Sequence, residues 1–301
     1  MLYVFGHKNP DSDSICSALV AAQWLCHQGK KARAFRLGDL NAETRYILDK
    51  AGIAEPDLLT DSVADQAVWL VDFTDAEQGP ESLQESDVIG IIDHHRLGTL
   101  VTRNPPDVWI RGLGSCATLL WEIITTESDM NLTSAQAILL LGAILSDTIA
   151  LTSTTTTPHD KRAVETLFQK TDLNRDAFVD GLLAAKTDIN GLTAEQLINK
   201  DAKLYQINGH AILLAQLEVK AMDQLDALIP VLIAAMDARR RQDKLDAVVL
   251  MATDITCKNS MLWFSDNSFP EFQHPVSMPG VLSRKKEVLP WLTQQLTKGK
   301  R

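Results

Sequence analysis

Apolar residues fall along the chain in two rhythms. Residues 2–5, 68–71 and 88–92 are short, unbroken apolar runs that stop at a glycine or a carboxylate, the pattern of strands buried on both faces. Between the first two, Ile15, Ala18, Leu19, Ala22, Leu25 and Cys26 recur at helical spacing, with Ser14 as the expected N-cap and Gly29 as the expected stop. Residues 134–145 form a further apolar helical stretch that runs into Ser146-Asp147-Thr148. Strands interleaved with helices predict an α/β fold, a mainly parallel sheet covered on both faces. In such sheets ligands bind beyond the carboxyl ends of the strands.

After about residue 200 the rhythm changes. Residues 204–207 and 211–217 flank Asn208-Gly209, which predicts a type I′ hairpin. Residues 225–241 read as one amphipathic helix ending in Arg239-Arg240-Arg241, and residues 247–252 and 261–264 as two more strands. This is a smaller, mixed α+β domain. Periodicity breaks over residues 186–193, where the linker is expected, giving domains of 1–188 and 189–301.

A length of 301 residues accommodates two such domains, and 45% apolar with 23% charged residues is an ordinary globular balance. No apolar run approaches the ~18 residues of a membrane span, and the N-terminus lacks a basic segment and a small-residue cleavage site. A cytoplasmic protein without a membrane partner is expected. Cys16, Cys26, Cys116 and Cys257 are scattered, form no CxxC, and are expected as free thiols in a reducing compartment. The net charge of −10 argues against a nucleic-acid partner. It leaves room for a small anionic ligand, because bound metal or a local Lys/Arg cluster inverts the potential where it matters.

Polar clusters sit where the strands end. His7, Asp11 and Asp13 share the first loop. Imidazole and carboxylate together suit Mn²⁺, Zn²⁺ or Fe²⁺ better than Ca²⁺, although Asn9-Pro10-Asp11-Ser12-Asp13 is also rich in turn formers and caps. Asp93-His94-His95 follow the strand at 89–92, and titratable residues there cost stability unless they find partners. Asp72 and Asp147, each after an apolar run, read singly as caps or surface acids. Taken together, His7, Asp11, Asp13, Asp72, His94 and Asp147 are six candidate ligands for two metals, which a shared carboxylate could hold ~3.5–4 Å apart. Ser283-Arg284-Lys285-Lys286 after Pro279-Gly280 read either as a solvated helix start or as a phosphate clamp. Gly112-Leu113-Gly114-Ser115 before an apolar helix could present backbone N–H groups to phosphate or simply cap the helix.

These clusters, in this order, resemble the DHH phosphoesterase superfamily. The likeness runs through Gly6-His7-Lys8-Asn9-Pro10-Asp11-Ser12-Asp13-Ser14-Ile15, Asp72, Asp93-His94-His95, residues 115–118 and Asp147. The full form of the first motif, together with Ser283-Arg284-Lys285-Lys286 in place of a glycine-rich GGGH-type motif, is similar to the family II (manganese-dependent) inorganic pyrophosphatases. The resemblance implies a DHH domain followed by a DHHA2-like domain and hydrolysis of pyrophosphate to two phosphates. It implies two Mn²⁺ per subunit, with Co²⁺ or Mg²⁺ as substitutes, and additional Mg²⁺ arriving with substrate. His7, Asp11, Asp72 and Asp147 would hold one ion; Asp13, Asp72, His94 and Asp147 the other. Among the catalytic residues, His95, Asp11 and Asp13, His95 would also contact substrate near the leaving group. Lys203, Arg284 and Lys285 would bind phosphate oxygens, and the chain would form a homodimer through its first domain.

One departure stands out: where many members read Asp-His-Asn-Glu, this chain reads Asp72-Phe73-Thr74-Asp75. The ligand is kept while its neighbours change, which puts the tuning of metal affinity and turnover in question. Domain closure about residues 186–193 is expected to assemble the site. Two other readings remain open from the residues: an exopolyphosphatase or small phosphodiesterase sharing the metal centre, and a non-catalytic metal or phosphate sensor. Nucleotide substrates call for stacking aromatics and a basic track, against 6% aromatics and an acidic total here.

Overall fold

The computed structural model describes residues 1–265 and 275–298. The chain divides into two compact units, Met1–Ala185 and Lys186–Arg301.

The first unit is built on six parallel strands: β1 (Leu2–Phe5), β2 (Ala32–Arg36), β3 (Asp57–Leu58), β4 (Ala67–Val71), β5 (Asp87–Asp93) and β6 (Asp107–Ile110). Their order across the sheet is β3-β2-β1-β4-β5-β6. Side chains alternate between two cores, as the pleat requires. Leu2, Val4, Trp69, Val71 and Ile92 face a layer of helices: α1 (Ser12–His27), α2 (Ala42–Ala51), α3 (Cys116–Glu127), α4 (Ser134–Asp147), α5 (Pro158–Phe168) and α6 (Arg175–Lys186). Phe5, Val68, Leu70, Val88 and Ile91 face the other way, onto Val63, Phe73 and Leu83. That second cover consists of loops and the 3₁₀ turns Ala76–Gln78 and Glu81–Glu85 rather than long helices. With both faces covered, each strand reads as a continuous apolar run, which is why the pattern lacks alternation.

The strand order reverses at β1: β2 and β3 lie to one side, β4 to β6 to the other. The crevice beyond the carboxyl ends of β1 and β4 is therefore a topological switch point, where doubly wound sheets bind ligands. His7 follows β1, Asp72 follows β4, and His94 and His95 follow β5.

In the second unit α7 (Ala194–Asn199) precedes β7 (Ala202–Ile207), β8 (His210–Val219), α8 (Ile229–Gln242), β9 (Ala247–Asp254), β10 (Asn259–Phe264), β11 (Val276–Pro279) and α9 (Leu289–Lys298). The sheet order is β11-β10-β9-β8-β7, with β8 and β9 parallel and the other pairs antiparallel. Alternate residues of β8 and β9 enter separate cores: Leu213, Ala215, Leu217, Val248 and Leu250 on one face; Ile212, Leu214, Val249 and Met251 on the other. The hairpin at Asn208-Gly209 has φ of +52° and +87°, the two left-handed residues of a type I′ turn.

Two expected boundaries differ. The helix expected from residue 225 begins at Ile229, after a separate 3₁₀ turn Met222–Leu225. Pro230, which cannot supply the N–H an interior position needs, sits in its first turn. Asp11, not Ser14, caps α1: the Asp11 carboxylate accepts from the Ser14 amide at 2.9 Å. All four cysteines are free, with Cys16 and Cys116 buried.

Candidate metal centre

Tight backbone geometry brings the loop after β1 back onto α1. A Cβ at Gly6 would lie 1.9 Å from the Ser14 hydroxyl oxygen, so only glycine permits the approach. His7 is thereby buried, and its Nδ1 donates to the Lys8 carbonyl at 2.7 Å. A carbonyl only accepts, so Nδ1 carries a proton and Nε2 is the nitrogen turned away from the loop, toward the carboxylates. Nε2 lies 3.4 Å from Asp11 Oδ2 and 3.3 Å from Asp72 Oδ2. His94 repeats the device: Nδ1 donates to the Leu113 carbonyl at 3.1 Å, and Nε2 lies 3.2 Å from Asp72 Oδ1, 3.5 Å from Asp147 Oδ2 and 3.8 Å from Asp13 Oδ2. Asp72 thus stands between two imidazoles with one carboxylate oxygen toward each.

The carboxylates are placed by costly backbone. Asp72 has φ +66°, a left-handed conformation that a side chain disfavours. Asp147 ends α4, where an anion opposes the helix macrodipole. It is followed by a left-handed run, Ile149, Ala150 and Leu151 at φ +47°, +50° and +67°. Hydrogen bonds hold that run: Ala150 N to the Leu145 carbonyl at 2.8 Å, Leu151 N to Thr148 Oγ1 at 3.1 Å and Ser153 N to the Thr148 carbonyl at 2.8 Å. Left-handed residues at Asp72 and just after Asp147 are backbone strain of the kind that clusters at functional sites.

Asp13, in the first turn of α1, is fully buried and turns its carboxylate onto the start of α3. Its Oδ2 accepts from Cys116 N at 2.5 Å, and its Oδ1 from Ala117 N at 2.9 Å and Ser17 Oγ at 3.0 Å. The same turn offers Gly114 N to the buried Asp160 carboxylate at 3.0 Å. The turn at 112–115, considered above as a cradle for phosphate, is occupied by the protein's own anions, with Ser115 as the helix cap. Asp160 also accepts from Thr118 Oγ1 at 2.6 Å and from Thr157 N and Oγ1 at 2.6 and 2.7 Å, tying α5 to α3.

So many acids in one cavity cannot all ionise. Burial, then the charges of Asp72 and Asp11, push Asp13 up to about 8. Burial, then Asp13 and Asp11, raise Asp147 well above the carboxylate range. Burial and Asp11 also push Asp72 up, but in the metal-free protein His7 and His94, turning protonated Nε2 toward it, outweigh them and hold it below its usual value. The neighbouring Cys16 and Cys116 thiols are raised by burial and by Asp13, so they stay neutral and outside the cluster.

Among the described residues, three groupings bring ligand atoms within 4.8 Å of one another: His7–Asp11–Asp72, Asp13–His94–Asp147 and Asp72–His94–His95. Neither oxygen of Asp72 takes a hydrogen bond among the described residues. A buried carboxylate in that condition, flanked by two imidazole Nε2 atoms and three further acids, fits hard-to-borderline divalent cations, with no thiolate to favour a soft one. All six candidate ligands converge, and His95 joins them. Its Nδ1 lies 2.7 Å from Asp93 Oδ1 and 3.5 Å from Asp72 Oδ1. Asp93, buried beneath, also accepts from the His95 amide at 3.0 Å. The sequence placed Asp93 beside two histidines without giving it a separate role; its adjacency to His95 was the available signal.

The cationic residues lie in the second unit. Arg284 is 4% exposed and opens a π-helical turn, Arg284–Val288. Its guanidinium pairs with the Asp201 carboxylate at 2.8 Å and donates to the Asp201 and Leu214 carbonyls at 2.6 and 3.4 Å. Leu214 is the cross-strand partner of Lys203, so Arg284 reaches the same end of β7. Lys285 is half-buried beside it.

Comparison with known proteins bears on this arrangement. Residues 1–144 match the DHH family, N-terminal domain, and residues 180–295 match the DHHA2 domain. A Lactobacillus helveticus protein named "probable manganese-dependent inorganic pyrophosphatase" is 32% identical over 97% of this chain and 97% of its own length. A Deinococcus radiodurans protein of the same name is 36% identical over 85% of this chain and 82% of its own. Among solved structures, a Methanococcus jannaschii protein named "putative family II inorganic pyrophosphatase" superposes with a TM-score of 0.89 at 33% identity, covering 98% of this chain and 99% of that one. An exopolyphosphatase-related protein from Bacteroides fragilis shares only the fold, with a TM-score of 0.53 at 15% identity over 99% of this chain and 92% of that one. Full-length identity above 30% and the paired DHH and DHHA2 domains establish that the chain belongs to the family of manganese-dependent, family II inorganic pyrophosphatases.

Proposed function

We propose that this chain hydrolyses inorganic pyrophosphate to two phosphates using two divalent cations, manganese foremost, with Mg²⁺ or Co²⁺ as substitutes and additional Mg²⁺ brought by substrate. The observation that carries the reading is Asp72, which turns one oxygen toward His7 Nε2 and the other toward His94 Nε2. His7, Asp11 and Asp72 would hold one ion; Asp13, His94 and Asp147 the other, with Asp72 shared. Bound divalent cations supply Lewis acidity toward phosphoryl oxygens and a water acidified toward neutral pH.

The chain's own residues do the rest. Nδ1 bonds to the Lys8 and Leu113 carbonyls aim both imidazoles before any ligand arrives. The α3 amides fix Asp13 in one orientation. Asp93 accepts from His95 Nδ1 and would stabilise the imidazolium, the form in which Nε2–H can donate a hydrogen bond to a leaving phosphate oxygen. Lys203 and Lys285 would meet phosphate oxygens as point charges, and Arg284, held by Asp201 and the Leu214 carbonyl, would add positive charge beside them.

A phosphate-release assay with pyrophosphate, tripolyphosphate and a dinucleotide, each with Mn²⁺ and with Mg²⁺ alone, tests the reading. Mn²⁺-dependent release from pyrophosphate in preference to the other two is expected. Preference for tripolyphosphate or the dinucleotide would reassign the substrate, and release from none would reassign the protein as a sensor.

The same reading includes a cytoplasmic location, to which four free thiols are suited, and a homodimer formed through the first unit. Strand β6 lies at the edge of the sheet with Val108 49% exposed, an edge that a second copy could cover. Sedimentation equilibrium giving a monomer would remove the dimer.

A further inference from the structure

The segment Phe73-Thr74-Asp75, where this chain departs from the resemblance noted above, lies against the chain that leaves His95. Strands β4 and β5 are parallel neighbours, so the segments after Asp72 and after His95 continue side by side. Phe73 is buried and stacks on Phe5, with ring centroids 6.5 Å apart. The next two residues lace the neighbouring loop. Thr74 Oγ1 donates to the Arg96 carbonyl at 3.2 Å and accepts from Gly98 N at 2.9 Å. Thr74 O accepts from Leu100 N at 3.0 Å, Asp75 Oδ1 accepts from Thr99 N at 3.2 Å, and Ala76 N donates to Thr99 Oγ1 at 3.2 Å. The approach is close: a Cβ on Gly98 would lie 2.5 Å from the Asp75 amide nitrogen and from the Thr74 carbonyl carbon.

Burial contributes little to holding this loop. Leu97 is 75% exposed and Val101 74%, and only Leu100 packs against the core below. Its conformation is therefore set by the hydrogen bonds, and one buried hydroxyl makes two of them. His95 is anchored upstream by Asp93 and leaves directly into Arg96, whose carbonyl Thr74 holds.

We propose that Thr74 is a positioning residue for His95. By pinning the exit of the loop it fixes the imidazole against the substrate phosphate, and so couples Asp72, two positions before it, to the group that meets the leaving oxygen. The proposal rests on the reading of His95 as a substrate contact.

The test compares Thr74→Val, which keeps the shape and removes the hydroxyl, with Thr74→Ser, which restores it, each in wild-type and His95→Gln backgrounds. The readouts are kcat and KM for pyrophosphate at saturating Mn²⁺, Mn²⁺ affinity, and amide hydrogen exchange over residues 96–100. Thr74→Val is expected to speed exchange there and to lower kcat/KM about tenfold, the factor matching one lost hydrogen bond and one amide left unsatisfied. Mn²⁺ affinity should stay unchanged, Thr74→Ser should recover the loss, and Thr74→Val should cost nothing further once His95 is Gln. A loss that adds in full to that of His95→Gln, or faster exchange with unchanged kcat/KM, would overturn the proposal while leaving pyrophosphate hydrolysis intact. Wild-type protein that releases no phosphate would overturn the functional reading and this inference with it.

Discussion

Metal loading should expel protons. Asp13 is pushed up to about 8 by burial and by the charges of Asp72 and Asp11, and Asp147 lies well above the ordinary range for the same kind of reason. At pH 7 a carboxyl of that value is about nine-tenths protonated, and at pH 8.5 about one quarter. Cations bind the ionised form, so loading both ions at pH 7 should release about 0.9 proton from Asp13 plus the share from Asp147. The count should fall as pH rises, and affinity should strengthen by up to about tenfold per pH unit per proton below pH 8. Calorimetric titration of metal-free protein with Mn²⁺, in buffers of different ionisation enthalpy at pH 6, 7 and 8.5, gives the number as the slope of observed heat. A heat independent of buffer at pH 7, with affinity constant from pH 6 to 8.5, would refute the crowded-carboxylate picture. Stability has a sign to match. Between the unfolded value near 4 and the folded value of about 8, the native state binds more protons at Asp13 than the unfolded chain does. Metal-free protein should therefore lose stability as pH rises through that window and level off above it. Asp72, held low, acts the other way: its contribution is present above about pH 4 and is lost as pH falls through its own lower value.

Three substitutions probe separate parts of the site. Asp72→Asn keeps a residue that tolerates φ +66° and removes the shared charge. A unit charge at about 4 Å and effective dielectric ~20 is worth about 4 kcal/mol, doubled for a divalent ion before desolvation, so a net loss near 4 kcal/mol, or about 10³ in Mn²⁺ affinity, is expected by titration. Metal-free stability should change little, since the repulsion relieved at Asp13 is set against the pairing with His7 and His94 that ionised Asp72 provides. Arg284→Ala should raise KM for pyrophosphate at least about tenfold and cost unit 2 about 3 kcal/mol in urea unfolding, because Asp201 and two carbonyls lose a buried partner. Unchanged KM would remove it from substrate binding. Asp160→Ala leaves the donors of Gly114, Thr118 and Thr157 without an acceptor, so about 3–5 kcal/mol should be lost in urea unfolding. Mn²⁺ affinity should fall with it, since the start of α3 also holds Asp13.

The strands of the first unit were legible because a sheet covered on both faces leaves unbroken apolar runs, and the candidate ligands because polar residues abut the ends of those runs. Asn208-Gly209 announced its hairpin through backbone chemistry alone. What stayed hidden depends on partners distant in the chain. The partner of the α3 amides is Asp13, 103 residues earlier, and a glycine-serine turn at a helix start does not say whether its anion is a ligand or the protein's own carboxylate. Nothing in Ile149-Ala150-Leu151 suggests three left-handed residues, since these side chains disfavour that region. Asp160 did leave a trace: Thr157-Pro158-His159-Asp160 has the form of a capping box, and the structure shows the box together with its longer reach to Gly114. Ser14 and Asp11 were both fit to cap α1; the turn around Gly6 decides for Asp11.

Anomalous scattering from crystals grown with Mn²⁺ addresses the centre directly. Two peaks are expected, one among His7, Asp11 and Asp72 and the other among Asp13, His94 and Asp147, with the Asp72 carboxylate between them. A single peak, or peaks away from these side chains, would contradict a two-metal site shared through Asp72.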